Sequence, residues 1–154
     1  MSKDEQNAAP SRGRIILYGI AALFCLFGLA DATYLTILAL TGETAACSGQ
    51  AGCQEVLASV YAKVAGIPVA AFGVAGYFTA FSCAIFAAFD YARSRKFFAI
   101  TVGVLFAATL WLLYVQAFLL HAFCRYCLFS AAICFLLMGL VVASPSPRVS
   151  QTER

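Results

Sequence analysis

Charge is what this sequence has least of: 11% of its 154 residues are Asp, Glu, Lys or Arg, where a soluble domain carries roughly 25%. With so few charges and 63% of the chain hydrophobic, a water-soluble enzyme domain is excluded, because too little polar surface exists to cover one. The net charge of +3 is too small and too dispersed for a nucleic-acid surface. Its basic residues sit at the chain ends and in one short loop, so they report membrane orientation instead. What the chain does have is length for four membrane spans of roughly 20 residues each, which consume most of it.

Residues 1–14 are polar, with Lys3, Arg12 and Arg14, and read as a tail leading up to the membrane. Four apolar runs follow, at about 15–40, 67–89, 97–120 and 124–143; Ser144-Pro145-Ser146-Pro147 stops the last and opens a second tail, 144–154. The first run, 26 residues, is longer than the roughly 7–15 of a signal-peptide core, so no cleavage is expected there. Thr44-Ala45-Ala46-Cys47 is faintly like a lipoprotein cleavage site, but it lies beyond the apolar run and lacks the leucine of such sites. The pattern predicts an all-α integral membrane protein: a four-transmembrane-helix bundle in one domain, 15–143.

The one long polar interruption, 41–66, is rich in Gly, Ser and Ala. Within it Val56, Leu57, Val60, Tyr61 and Val64 recur at i, i+1, i+4, i+5 and i+8, which predicts a short amphipathic helix on the membrane surface, a connector or a lid. With four spans, both tails and the loop at 90–96 share one side and hold eight of the ten Lys and Arg, leaving Lys63 and Arg125 opposite. The positive-inside rule therefore puts both termini in the cytoplasm. Cys47, Cys53, Cys124 and Cys127 then fall at the outer face, the oxidising side of a bacterial inner membrane or a secretory lumen. Cys25, Cys83 and Cys134 lie inside apolar runs and read as small buried hydrophobes.

Phe123-Cys124-Arg125-Tyr126-Cys127 is the stretch that carries chemistry. Two cysteines with two residues between them can close a reversible disulfide ring, and at the head of a span they can meet an oxidant dissolved in the bilayer. The loop pair, Cys47 and Cys53, can meet a soluble partner, and thiol-disulfide exchange would join the two pairs without a metal. Four thiolates could also close a tetrahedral zinc site, so a metal-binding membrane protein stays open as an alternative. A plain scaffold with incidental cysteines is a third reading, which four cysteines on one face argue against.

Asp31-Ala32-Thr33-Tyr34-Leu35-Thr36, the loop pair with Ser59 six residues after its second cysteine, Gly66-Ile67-Pro68, and Phe123-Cys124-Arg125-Tyr126-Cys127 together resemble the vitamin K epoxide reductase family. The resemblance implies a four-helix bundle around a quinone, ubiquinone or menaquinone. Electrons would pass from a separate DsbA-like thioredoxin-fold protein to the loop pair, then to the Cys-x-x-Cys, then to the quinone. By position, Cys47 would exchange with the partner, Cys53 would pass electrons to Cys124, Cys127 would face the quinone, and Ser59 would sit near that site. Members that reduce the epoxide place a tyrosine where this chain has Ala131 and use an asparagine in the second span, whereas the only asparagine here is Asn7. Those departures favour the bacterial-type role over vitamin K epoxide reduction.

Other polar and aromatic residues are candidate supports. Asp31 lies in the outer part of the first span, and an aspartate at a membrane centre costs roughly 2.5–3.5 kcal/mol, so it marks a site unless it is shallow enough to reach water. His121 could supply protons to a reduced quinone or could be a satisfied interfacial histidine. Phe72, Trp111, Tyr114 and Phe118 could line an aromatic quinone pocket, or at helical spacing could be packing and belt residues.

Overall fold

The computed structural model describes residues 12–42, 51–89 and 91–144. A long helix α1 (Arg12–Thr41) is followed by a short α2 (Ala51–Ala58), a 3₁₀ turn (Val60–Ala62) and a two-stranded hairpin of β1 (Lys63–Val64) and β2 (Ile67–Pro68). Then come α3 (Val69–Ala88), α4 (Ala92–Tyr114) with a π-helical turn at its end (Val115–Leu120), and α5 (Arg125–Ala143). Four of these helices are long and apolar enough to cross a membrane: α1, α3, α5, and α4 together with its π turn. They close a ring in which α1 packs on α3, α3 on α4, α4 on α5 and α5 back on α1.

Small side chains make the α1–α3 seam. Ala21, Ala22, Cys25, Gly28 and Ala32 of α1 and Ala80, Ala84 and Ala87 of α3 are buried. Lipid tails are as apolar as leucine, so close dispersion contact takes the place of a hydrophobic drive between such helices. Gly28 is the tightest point, where a β-carbon would fall inside the ring of Tyr77. From that notch the Tyr77 hydroxyl reaches α5, 2.9 Å from Ser130 Oγ and 3.1 Å from Cys134 Sγ. One side chain thus ties three helices together. Large apolar residues such as Leu23, Phe27, Phe78, Ile100 and Val104 point outward, as a lipid-facing surface requires.

Two elements differ from the sequence expectation. The basic residues Arg93, Arg95 and Lys96, expected in a loop, lie in the first turns of α4. Arg and Lys are good helix formers whose long stems carry the charge to water, so a cluster of them need not end a helix. The amphipathic helix ends at Ala58 and does not run on to Val64. Val56 is buried and Leu57 half-buried, but Val60 and Val64 are exposed, and β-branched residues sit more easily in the turn and strand that follow. The hairpin is closed by Ala65 and Gly66, both at positive φ (52° and 83°), the backbone of a two-residue type I′ turn.

Candidate functional site

The Cys-x-x-Cys is held by the corner between α4 and α5. The π turn places the carbonyl of Gln116 where it accepts from the N–H groups of His121 and Ala122, the latter at 3.2 Å. The Gln116 side chain, itself buried, turns back so that Oε1 accepts from the Cys124 N–H at 3.1 Å. His121 takes the left-handed conformation (φ 51°) that reverses the chain. Three consecutive demands of the corner therefore fall on one glutamine. Cys124 then caps α5, and its carbonyl accepts from the Leu128 N–H at 3.0 Å.

The two cysteines hydrogen-bond each other through their side chains but differ in what else they reach. Cys124 is fully buried in a cluster with Leu35, Leu38, Val56 and Ala122, beneath α2. Cys127 lines a cavity of about 120 Å³ between the helices and α2, whose wall is mostly apolar and includes Ala32, Leu113, Ala131 and Cys134. The Cys124 thiol is lowered to about 7, first by the hydrogen bond from the Cys127 side chain and then by the backbone N–H groups of Cys127 and Tyr126; burial opposes this. A thiol at that value is substantially thiolate near neutrality, which is the reactive form.

α2 meets this corner through Gly52. A β-carbon there would stand 2.8 Å from the Phe123 carbonyl oxygen and 3.1 Å from its amide nitrogen, so only glycine lets the backbones approach this closely. Cys53 follows Gly52 in α2; its side chain, and the whole of Cys47, lie outside the described residues.

Of the other expected residues, Ser59 lines the cavity, with its hydroxyl donating to the Val56 carbonyl at 2.8 Å. Asp31 is buried next to the cavity-lining Ala32, and its Oδ2 has no hydrogen-bond partner among the described residues. Phe72, Trp111, Tyr114 and Phe118 are exposed and do not line the cavity. Trp111, Tyr114 and Phe118 instead form a ladder along the outside of α4 and its π turn, with ring centroids 6.1 and 5.1 Å apart. Helical spacing set them on one face, but that face is turned to lipid. His121 is exposed at the corner, where its backbone conformation is what the fold uses. Cys134, expected to be inert filling, lines the cavity beside Tyr77 and Ser130.

The sequence reading missed Gln116, Tyr77, Ser130 and Gly52 as parts of the site, whereas Ala131, singled out by the resemblance, lines the cavity. Gln116 alone carried a usable signal, a carboxamide inside an apolar run, where polar groups are expensive. The model of the vitamin K epoxide reductase family matches residues 20–142, which takes in α2, α3, α4, most of α1 and α5, and both cysteine pairs. The chain is a multi-pass membrane protein that belongs to the vitamin K epoxide reductase family, and with it to membrane disulfide and quinone redox chemistry.

Proposed function

We propose that the protein is a membrane thiol oxidase that reoxidises a separate DsbA-like thioredoxin-fold partner and passes the electrons to ubiquinone or menaquinone. The observation that carries this reading is the place of the Cys-x-x-Cys: Cys127 lines an apolar cavity inside the bundle, and its thiol hydrogen-bonds that of Cys124, which is buried beneath α2. A partner thiolate attacks the Cys47–Cys53 disulfide; the partner leaves oxidised and the loop pair is left as two thiols. The Cys53 thiolate attacks Cys124 of a Cys124–Cys127 disulfide and releases Cys127 as thiolate. Cys47 then attacks Cys53, which restores the loop disulfide and leaves Cys124 reduced. Cys124 and Cys127 close again by giving up an electron pair and two protons, which a quinone held in the cavity would take up.

Several features support the assignment. The lowered Cys124 thiol is thiolate enough at neutral pH to close the ring on Cys127. The close approach of Gly52 to Phe123 favours exchange between Cys53 and Cys124, their respective chain neighbours. The apolar cavity suits a hydrophobic ring compound entering from the bilayer. Ala131 gives that cavity a methyl group where epoxide-reducing members carry a tyrosine, which favours the bacterial-type role. A thioredoxin-fold oxidase poised near about −120 mV gives up electrons only to an acceptor at least as positive, and respiratory quinones are regenerated in the same membrane. The basic residues argue for cytoplasmic termini and cysteines at the outer face of a bacterial inner membrane.

The test mixes the purified protein, a reduced thioredoxin-fold oxidase and a quinone, and follows quinone absorbance. Cys127→Ala should stop quinone reduction by any thiol, and Cys47→Ala should stop only the reaction with the protein partner. If both substitutions were harmless, the relay would be wrong. Stoichiometric zinc in the purified protein, with no titratable thiols, would favour the metal-binding alternative.

A further inference from the structure

Gln116 has more hydrogen-bonding capacity than the corner uses. A backbone N–H can only donate, so the end of the carboxamide that meets Cys124 at 3.1 Å must be the oxygen. Nε2, with two donors, is then directed away from Cys124. Gln116 is 2% exposed and lines the cavity, and Nε2 makes no hydrogen bond among the described residues. Neighbouring hydroxyls are already engaged: Tyr77 with Ser130 at 2.9 Å, and Ser59 with the Val56 carbonyl at 2.8 Å. A donor that opens onto an apolar cavity finds no acceptor in the wall, so a glutamine held this way is explained by an acceptor that arrives with the ligand.

We propose that Gln116 recognises a carbonyl oxygen of the cavity's ligand through Nε2 while Oε1 holds the Cys124 amide, and so determines specificity for a dione over a hydrocarbon of the same shape. The inference rests on the quinone reading and adds the residue that recognises the carbonyl. It also links the two ends of the site. A hydrogen bond donated at Nε2 polarises the carboxamide and strengthens the bond accepted at Oε1, so an occupied cavity fixes Cys124 more firmly than an empty one.

The test compares two probes that share a ring frame and differ in two carbonyl oxygens: 2-methyl-1,4-naphthoquinone and 2-methylnaphthalene. Their equilibrium binding is measured on the preoxidised full-length protein in detergent and on Gln116→Leu. The quinone should bind Gln116→Leu roughly tenfold more weakly, about 1.4 kcal/mol, and the hydrocarbon should bind both proteins alike. Equal weakening of both probes would mean that Gln116 only shapes the cavity, and unchanged binding of both would mean that it contacts neither; each overturns the inference. Should Gln116→Leu fail to fold, Gln116→Met, unbranched and close in volume, carries the same comparison. Failure of the unsubstituted protein to bind the quinone would sink the quinone reading, and this inference with it.

Discussion

Gly52 and Phe123 touch backbone to backbone, and each is the chain neighbour of a cysteine, Cys53 in α2 and Cys124 at the head of α5. The absence of one side chain is what lets a surface helix sit against the corner that presents the Cys-x-x-Cys.

Gly52→Ala should therefore slow the relay selectively. The added methyl meets backbone, which cannot rotate away, and overpacking of this kind costs roughly 1–3 kcal/mol. We expect oxidation of the protein partner to fall by about fivefold at the low end of that range. Quinone reduction driven by a small dithiol that reaches Cys124 and Cys127 directly should be unchanged. Partner oxidation at the unsubstituted rate would show that this contact does not align the pairs.

The Cys124 thiol should titrate low, and the cause can be removed. In the reduced protein, alkylation of Cys124 by a small neutral reagent, read by mass spectrometry, should rise with pH around a midpoint of about 7. Below that pH the thiol gains its proton and the rate falls. Cys127→Ala removes the largest cause, so the midpoint should move up toward the ordinary thiol value of about 8.5. A midpoint that stays put in Cys127→Ala would mean that the backbone amides alone hold the thiolate.

The Tyr77 notch should be a stability element. Gly28→Ala puts a methyl group inside the space of the Tyr77 ring and should lower the thermal midpoint, with a cost of about 2 kcal/mol. Tyr77→Phe keeps the ring and loses only the bonds to Ser130 and Cys134, for a cost of about 1 kcal/mol. The order of the two effects is the check, and Tyr77→Phe proving the more harmful would reverse the argument.

The charge distribution predicts orientation. An impermeant thiol reagent applied to intact, reduced spheroplasts should label Cys47. Labelling from the cytoplasmic side alone would invert the topology and remove the partner-facing role of the loop pair.

The membrane class, the four spans and the spacing of the cysteines were legible in the residues alone, because each depends on local information: run length against bilayer thickness, and residue spacing. The sequence also suffices to place a short helix in the loop between the first two spans. Its lower end was misjudged because periodicity does not register where β-branched residues pass into a turn and strand, as at Val60 and Val64. Which helix face looks inward was decided only by tertiary packing. In lipid both faces of a span are apolar, so hydrophobicity does not separate Trp111, Tyr114 and Phe118, which face outward, from Leu112 and Leu113, which line the cavity. Small residues make that choice: Gly28 admits the ring of Tyr77, and Gly52 admits the backbone of Phe123. Such contacts join residues far apart in the chain, and the space a glycine leaves has meaning only once the neighbour that fills it is known.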